Sequence, residues 1–184
     1  MQWAEQIRCG NRRAFTELFE TYYVPLCQYA YRFIQDEEVR EDVVQDLFAW
    51  IWERRDDWKP GVSVRAYLYR AIHNRIITCI RKKRFECPLD ESGQNTIEVR
   101  QLSPFDELQI RELGLAITNI INLLPERRKQ ILLLRLQHEL SYKEISVILN
   151  ISVNTVDTQI RRALKLLRHR LKPFRTHGYA LKAG

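Results

Sequence analysis

Asn154, Thr155, Thr158, Arg161, Arg162 and Lys165 recur at three-, four- and seven-residue intervals within VNTVDTQIRRALKLL, which starts at Val153. On a helix such spacings gather side chains on one face. Short amides and hydroxyls near its N-terminal end suit base edges, and cations further along suit phosphates, so the chemistry on offer is DNA recognition in a groove. The preceding residues supply the element that would present it. Ser141 and Glu144 form an S-x-x-E capping box, followed by the apolar face Ile145, Ile148 and Leu149. Asn150 tolerates the left-handed backbone that ends a helix sharply. Ser152 can cap the second helix, whose apolar face reads Val153, Val156, Ile160, Leu164 and Leu167. An ordinary helical hairpin with a solvated basic face shares this periodicity. Two caps, a short turn and complementary faces in register favour a helix-turn-helix.

A second stripe lies on a helix expected over 64–83, which buries Leu68, Ala71, Ile72, Ile76 and Cys79. It leaves Tyr67, Arg70, Asn74, Thr78 and Arg81 together, a mixture of charge, aromatic and amide that suits an unpaired DNA strand. A third set has the opposite sign. The helix expected over 37–54 has the apolar face Val39, Val43, Leu47 and Ile51, flanked by Val44 and Phe48. Its other side carries Glu38, Asp42, Gln45 and Asp46. Acids repel DNA, so in a chain with basic helices this face points to a protein partner with a basic surface. Trp50 and Trp52 on the same helix read as core.

The formal net charge of +7 conceals this segregation. Residues 65–84 hold seven basic residues and no acid, and residues 161–175 hold seven more and no acid. The rest of the chain keeps sixteen basic residues against twenty-three acidic ones. Two basic helices on an acidic background imply two DNA contacts and a further surface for something else. A hydrophobic fraction of 45% and a mean hydropathy of -0.39 describe a globular chain. No apolar run approaches the roughly 18 residues of a membrane span, and the opening residues carry no signal-peptide core. Cys9, Cys27, Cys79 and Cys87 form no C-x-x-C pair and read as reduced cytoplasmic thiols. No Gly-rich phosphate loop, G-x-S-x-G or H-E-x-x-H motif occurs, so no enzyme, metal or cofactor is expected.

These faces need helices to hold them. Asn11 caps a helix with Phe15, Leu18, Phe19 and Tyr22 as its stripe, and a separate helix is expected over about 24–34. Between Phe85 and Pro104 the helical pattern fails, with prolines, Gly and small polar residues. Helix returns over about 105–123, and Pro125 opens the next one. The expected fold is all-α: two small helical domains, 1–84 and 106–184, joined by a flexible linker, 85–105, with a helix-turn-helix in the second and a basic tail.

The blocks REDVVQDLFAWIWER, SVRAYLYRAIHNRIITCIRKKR and LLPERRKQILLLRLQHELSYKEISVILNISVNTVDTQIRRALKLL together resemble a bacterial RNA polymerase sigma factor of the extracytoplasmic-function group. That group keeps only the second and fourth conserved regions of larger sigma factors. The resemblance covers roughly 11–84 and 112–171. It departs where Ser146 replaces a usual Ala, Asn150 a frequent Gly, and Asp157 a basic or neutral residue. The resemblance implies that Asp42, Gln45, Asp46 and Phe48 contact the clamp helices of the polymerase largest subunit. It likewise assigns Tyr67, Arg70, Asn74, Thr78 and Arg81 to the single strand of the downstream (-10) promoter element, with the loop around Trp58, Pro60 and Gly61 receiving a flipped base. Asn154, Thr155, Thr158, Arg161, Arg162 and Lys165 then meet the upstream (-35) element, and an anti-sigma antagonist is implied as well. Two other readings are a self-sufficient helix-turn-helix regulator, which leaves the first half unexplained, and a nuclease, which lacks an acidic metal cluster.

Overall fold

The computed structural model describes residues 2–61, 63–86 and 114–172. Among them every regular element is helical. Most of the expected linker and the basic tail beyond 172 lie outside the described residues. The framework divides into two units that interleave in sequence: residues 1–94 with 143–150, and residues 95–142 with 151–184.

The first unit opens with α1 (Gln2–Arg8), a helix not expected from the sequence, which buries Ala4 and Ile7. Gly10, at φ 76, turns the chain into α2 (Arg12–Tyr31). Asn11 caps α2 as expected, its side-chain oxygen accepting the Ala14 N–H at 3.1 Å. The expected break near residue 23 does not occur: α2 is one helix running through Pro25. A proline inside a helix costs roughly 3 kcal/mol. Leu18, Leu26, Tyr29 and Ala30 are all fully buried on the two sides of Pro25. At about 1.5–3 kcal/mol for each large apolar side chain, their burial outweighs one missing hydrogen bond.

Asp36 caps α3 (Glu37–Glu53) by accepting the Val39 N–H at 3.3 Å. Val44, Leu47, Phe48 and Ile51 are buried, while Val39 and Val43 are only partly so. Phe48 is 2% exposed and sits against Phe19 and Phe15, with ring centroids 4.9 and 6.3 Å apart. It was expected among the partner contacts of the acidic face; the structure places it in the core instead. Helical geometry explains the difference, because Phe48 lies four residues from Val44 and three from Ile51, on the apolar stripe. Trp50 and Trp52 are half-buried rather than core, with the Arg54 and Arg55 guanidinium groups over their rings at 5.6 and 5.0 Å.

A short 3-10 turn (Arg55–Asp57) leads to Trp58 and then to α4 (Val64–Glu86). The Ser63 hydroxyl oxygen accepts the Ala66 N–H at 3.0 Å and so caps α4. Leu68, Ile72 and Ile76 are buried as expected, but Ala71 and Cys79 are only partly covered. Tyr69 and His73 take their place. The Tyr29 hydroxyl and His73 Nδ1 lie 2.8 Å apart in the interior, a polar link between α2 and α4.

In the second unit, the described part of helix α5 (114–122) leads through Leu124 to α6 (Glu126–Leu136). Pro125 precedes α6 at φ -52, where its missing N–H leaves no intrahelical bond unmade. The core joins Ile120, Ile121 and Leu124 to Leu132, Leu133, Ala163 and Leu167. Arg128 Nε also donates to Gln159 Oε1 at 3.0 Å, tying α6 to α8 (Val153–Arg170). Helix α7 (Tyr142–Leu149), grouped with the first unit, buries Ile145, Ile148 and Leu149. Asn150 then adopts φ 51, the left-handed backbone its position called for. Ser152 caps α8, accepting the Thr155 N–H at 3.0 Å. Val156, Ile160 and Leu167 are buried, but Val153 is 43% exposed because the apolar stripe begins one turn later.

Phe48→Ala should lower stability by about 3–5 kcal/mol, read from urea denaturation; a loss below about 1 kcal/mol would mean that the aromatic cluster is not central to the unit. Ser152→Ala should cost about 1 kcal/mol by leaving the α8 N-terminus uncapped, with Ser152→Asn retaining most of the stability.

Candidate nucleic-acid interface

Helix α8 begins with its polar residues already ordered by the cap. The hydroxyls of Ser152 and Thr155 lie 2.8 Å apart, so Thr155 is part of the capping arrangement. Asn154 and Thr158 are exposed one turn apart, followed by exposed Arg161, Arg162 and Lys165. Of the six expected residues, Asn154, Thr158, Arg162 and Lys165 therefore present unhindered side chains, while Thr155 shares its hydroxyl with Ser152. Arg161 is not a free cation. Its Nε lies 2.9 Å from Asp157 Oδ2, one turn earlier on the same face. Asp157 thus holds the Arg161 guanidinium along the helix and offsets one positive charge of this face. Beyond them, exposed Arg168, His169 and Lys172 continue the basic face.

On α4, Arg70, Asn74, Thr78 and Arg81 are exposed and share one stripe. The Thr78 hydroxyl donates to the Asn74 carbonyl at 3.0 Å, which leaves charge and amide to the neighbouring residues. Tyr67 differs from them in being partly buried. Its ring meets Trp58 edge-on, centroids 5.9 Å apart at 74°. Burial raises the Tyr67 phenol above the ordinary tyrosine value, so it stays a neutral hydroxyl, able to donate and accept. Gly61, at φ 67 and with open space where a Cβ would stand, lets the loop before α4 turn tightly.

Asp42, Gln45 and Asp46 are exposed on α3, with Glu38 one turn earlier. Gln45 Nε2 donates to the Tyr23 hydroxyl at 3.5 Å, and Tyr23 stacks on Phe19 at 4.8 Å. The acidic face therefore borders an aromatic ledge on α2 that periodicity on α3 alone could not show. The buried Tyr29–His73 pair was also missed, since a histidine among apolar residues gives no local sign of its partner. No group of three or more His, Cys, Asp or Glu side chains suitable for a metal ion occurs among the described residues. No described helix is long and apolar enough to cross a membrane.

Residues 18–86 match the family described as Sigma-70 region 2, and residues 114–167 match Sigma-70, region 4. The chain is 30% identical over 176 residues to the ECF RNA polymerase sigma factor SigW of Bacillus subtilis, which covers 91% of this chain and 94% of that protein. It is also 30% identical over 167 residues to the RNA polymerase sigma factor CnrH of Cupriavidus metallidurans, covering 87% of each. The solved structure of CnrH in complex with the cytosolic domain of CnrY superposes with a TM-score of 0.61 at 26% identity, over 93% of this chain and 96% of that one. The sigma factor RpoE of Bartonella quintana, solved with the anti-sigma factor NepR, shares the fold at a TM-score of 0.64 and 19% identity, over 86% of this chain and 96% of that one. Two basic DNA-type faces, one acidic protein-type face and this kinship over nearly the whole chain lead to one conclusion: the protein belongs to the extracytoplasmic-function RNA polymerase sigma factors, which bind core RNA polymerase and direct transcription initiation at promoters.

Proposed function

We propose that this sigma factor divides its work among three faces. Asp42, Gln45 and Asp46 on α3 bind the clamp helices of the polymerase largest subunit. Phe48 serves them from beneath, as the core residue that fixes the helix. Tyr67, Arg70, Asn74 and Arg81 on α4, with Thr78 bonded behind Asn74, engage the unpaired strand of the -10 element. Asn154, Thr155 and Thr158 read bases of the -35 element, while Arg161, Arg162 and Lys165 position α8 through phosphates. The first domain is 1–84 and the second 106–184, a division supported by two separate, contiguous family matches. The chain itself performs no chemistry; RNA synthesis belongs to the polymerase, and this subunit contributes specificity and strand opening in the cytoplasm. CnrH is held by the cytosolic domain of CnrY, and an antagonist of that kind is part of this reading.

One observation carries it: Asp42 and Asp46 on α3 and Arg70 and Arg81 on α4 are exposed, on helices whose opposite faces share one core. Charges of opposite sign can then meet different partners without burying one another. The decisive experiment adds the purified chain to core polymerase and selects promoters by transcription from a random-sequence pool. Transcription from defined start sites that requires the chain supports the reading, and DNA binding without polymerase would instead favour a self-sufficient regulator.

Asp42→Lys with Asp46→Lys should weaken core-polymerase association at least tenfold while leaving helical content unchanged; wild-type affinity would remove the acidic face from the interface. Arg162→Ala should reduce the salt dependence of binding to the selected promoter by about one unit on every sequence, whereas Asn154→Ala should cost about 1–3 kcal/mol at one base position. Asp157→Ala should tighten DNA binding by releasing Arg161. An exposed pair is worth about 0.2–1 kcal/mol, so the gain should be roughly 1.4- to 5-fold at low salt; a loss of affinity would mean that Asp157 serves recognition by holding Arg161 in place.

A further inference from the structure

Arg128 belongs to α6, yet its charged end lies against α8. Its Nε donates to Gln159 Oε1 at 3.0 Å, and both residues are half-buried within the second unit. Among the described residues this is the only polar interaction of the Arg128 side chain, so both Nη groups keep their donors and no carboxylate offsets the charge. A guanidinium tethered by one nitrogen, with the rest of its planar fork open, is a preformed receptor for an anion such as phosphate. Arg161 on α8 is tethered by the same atom, but to the carboxylate of Asp157. The neutral Gln159 amide orients Arg128 and leaves its charge whole.

Position decides which anion this fork would meet. On α8, exposed Thr158 and Lys165 lie opposite the buried stripe of Val156, Ile160, Ala163 and Leu167. Gln159 follows Thr158 by one residue, about 100° around the helix, and so stands at the side of that surface rather than at its centre. It lies four residues after Thr155 and three before Arg162, on the same edge as both. An α-helix with its side chains is roughly 10–12 Å across, and the major groove is roughly 12 Å wide. The sides of a helix lying in the groove therefore run beside the sugar–phosphate walls. Arg128 brings a cation from a second helix to the wall that Arg162 also faces.

We propose that Arg128 is a phosphate contact for promoter DNA, contributed by α6 and aimed by Gln159 as its positioning residue. When α8 enters the groove, the open Nη groups donate to a backbone phosphate of the upstream element. The inference rests on the reading that α8 occupies the major groove of the -35 element. A contact to phosphate adds affinity on every sequence and carries no base preference. Because the hydrogen bond to Gln159 already restricts the guanidinium in the free protein, little side-chain freedom is lost on binding.

The test uses holoenzyme made from core polymerase and the full chain, binding a selected duplex promoter over a series of salt concentrations. Arg128→Gln removes the charge and keeps a side chain that can bond to Gln159. It should lower the slope of log affinity against log salt by about one unit, equally on the selected promoter and on one with an altered -35 element, with helical content unchanged. Arg128→Lys should restore the slope. A structural tie between α6 and α8 would change stability without moving the slope, so a wild-type slope in Arg128→Gln overturns the proposal. Gln159→Ala should keep the slope but weaken binding about 2- to 10-fold at fixed salt, the effect of one hydrogen bond. It should have no further effect in the Arg128→Gln background; additive losses overturn the positioning role. Should Arg128→Gln lose helical content, Gln159→Glu carries the test by keeping the tie and offsetting the charge, and a wild-type slope there overturns the proposal. Arg162→Ala separates the two levels. If it too leaves the slope unchanged, the groove reading of α8 fails and the proposal with it; if it lowers the slope while Arg128→Gln does not, only the role of Arg128 fails.

Discussion

The structure depends on the apolar stripes of α2, α3 and α4 closing on one another. Phe15, Phe19 and Phe48 meet between α2 and α3, and Tyr29 meets Tyr69 and His73 between α2 and α4. That closure is what allows one small unit to hold an acidic surface on α3 and a basic surface on α4. In water, opposite charges on mobile helices would pair and screen each other. Fixed on separate exposed faces, they remain available to two different partners.

The same principle operates more finely on α8. Its apolar stripe, Val156, Ile160, Ala163 and Leu167, is almost completely buried. Everything that could meet DNA therefore projects from the other side. Within that side, the Asp157–Arg161 pair shows that net positive charge is not simply maximised. A carboxylate one turn before an arginine costs electrostatic attraction but restricts where the guanidinium can point.

Buried polar groups mark where packing and function meet. The Tyr29–His73 pair satisfies both members and reads as a structural link. The Trp58 indole is 2% exposed and packs edge-on against the Tyr67 ring, with centroids 5.9 Å apart.

Much of the architecture was legible in the sequence because helical caps and stripes are local. Asn11, Asn150 and Ser152 each declared a helix boundary through the hydrogen bonds or backbone angles their side chains permit, and the structure has them in those roles. The exposed residues of α4 and α8 followed from periodicity alone. Tertiary packing decided the rest. Periodicity suggests a separate helix over about 24–34, but burial of Leu18, Leu26 and Tyr29 on both sides of Pro25 carries α2 through as one helix. Phe48 reads as a neighbour of the acidic face, but rings from α2 draw it inward. The pairing of Tyr29 with His73 and the setting of Trp58 against Tyr67 join residues far apart in sequence or separated by an irregular loop. The sequence by itself determined which faces carry charge, because 3.6-residue periodicity is written in one helix. Only the tertiary structure decided which aromatic and polar side chains meet, because each contact needs the second helix or loop that supplies its other half.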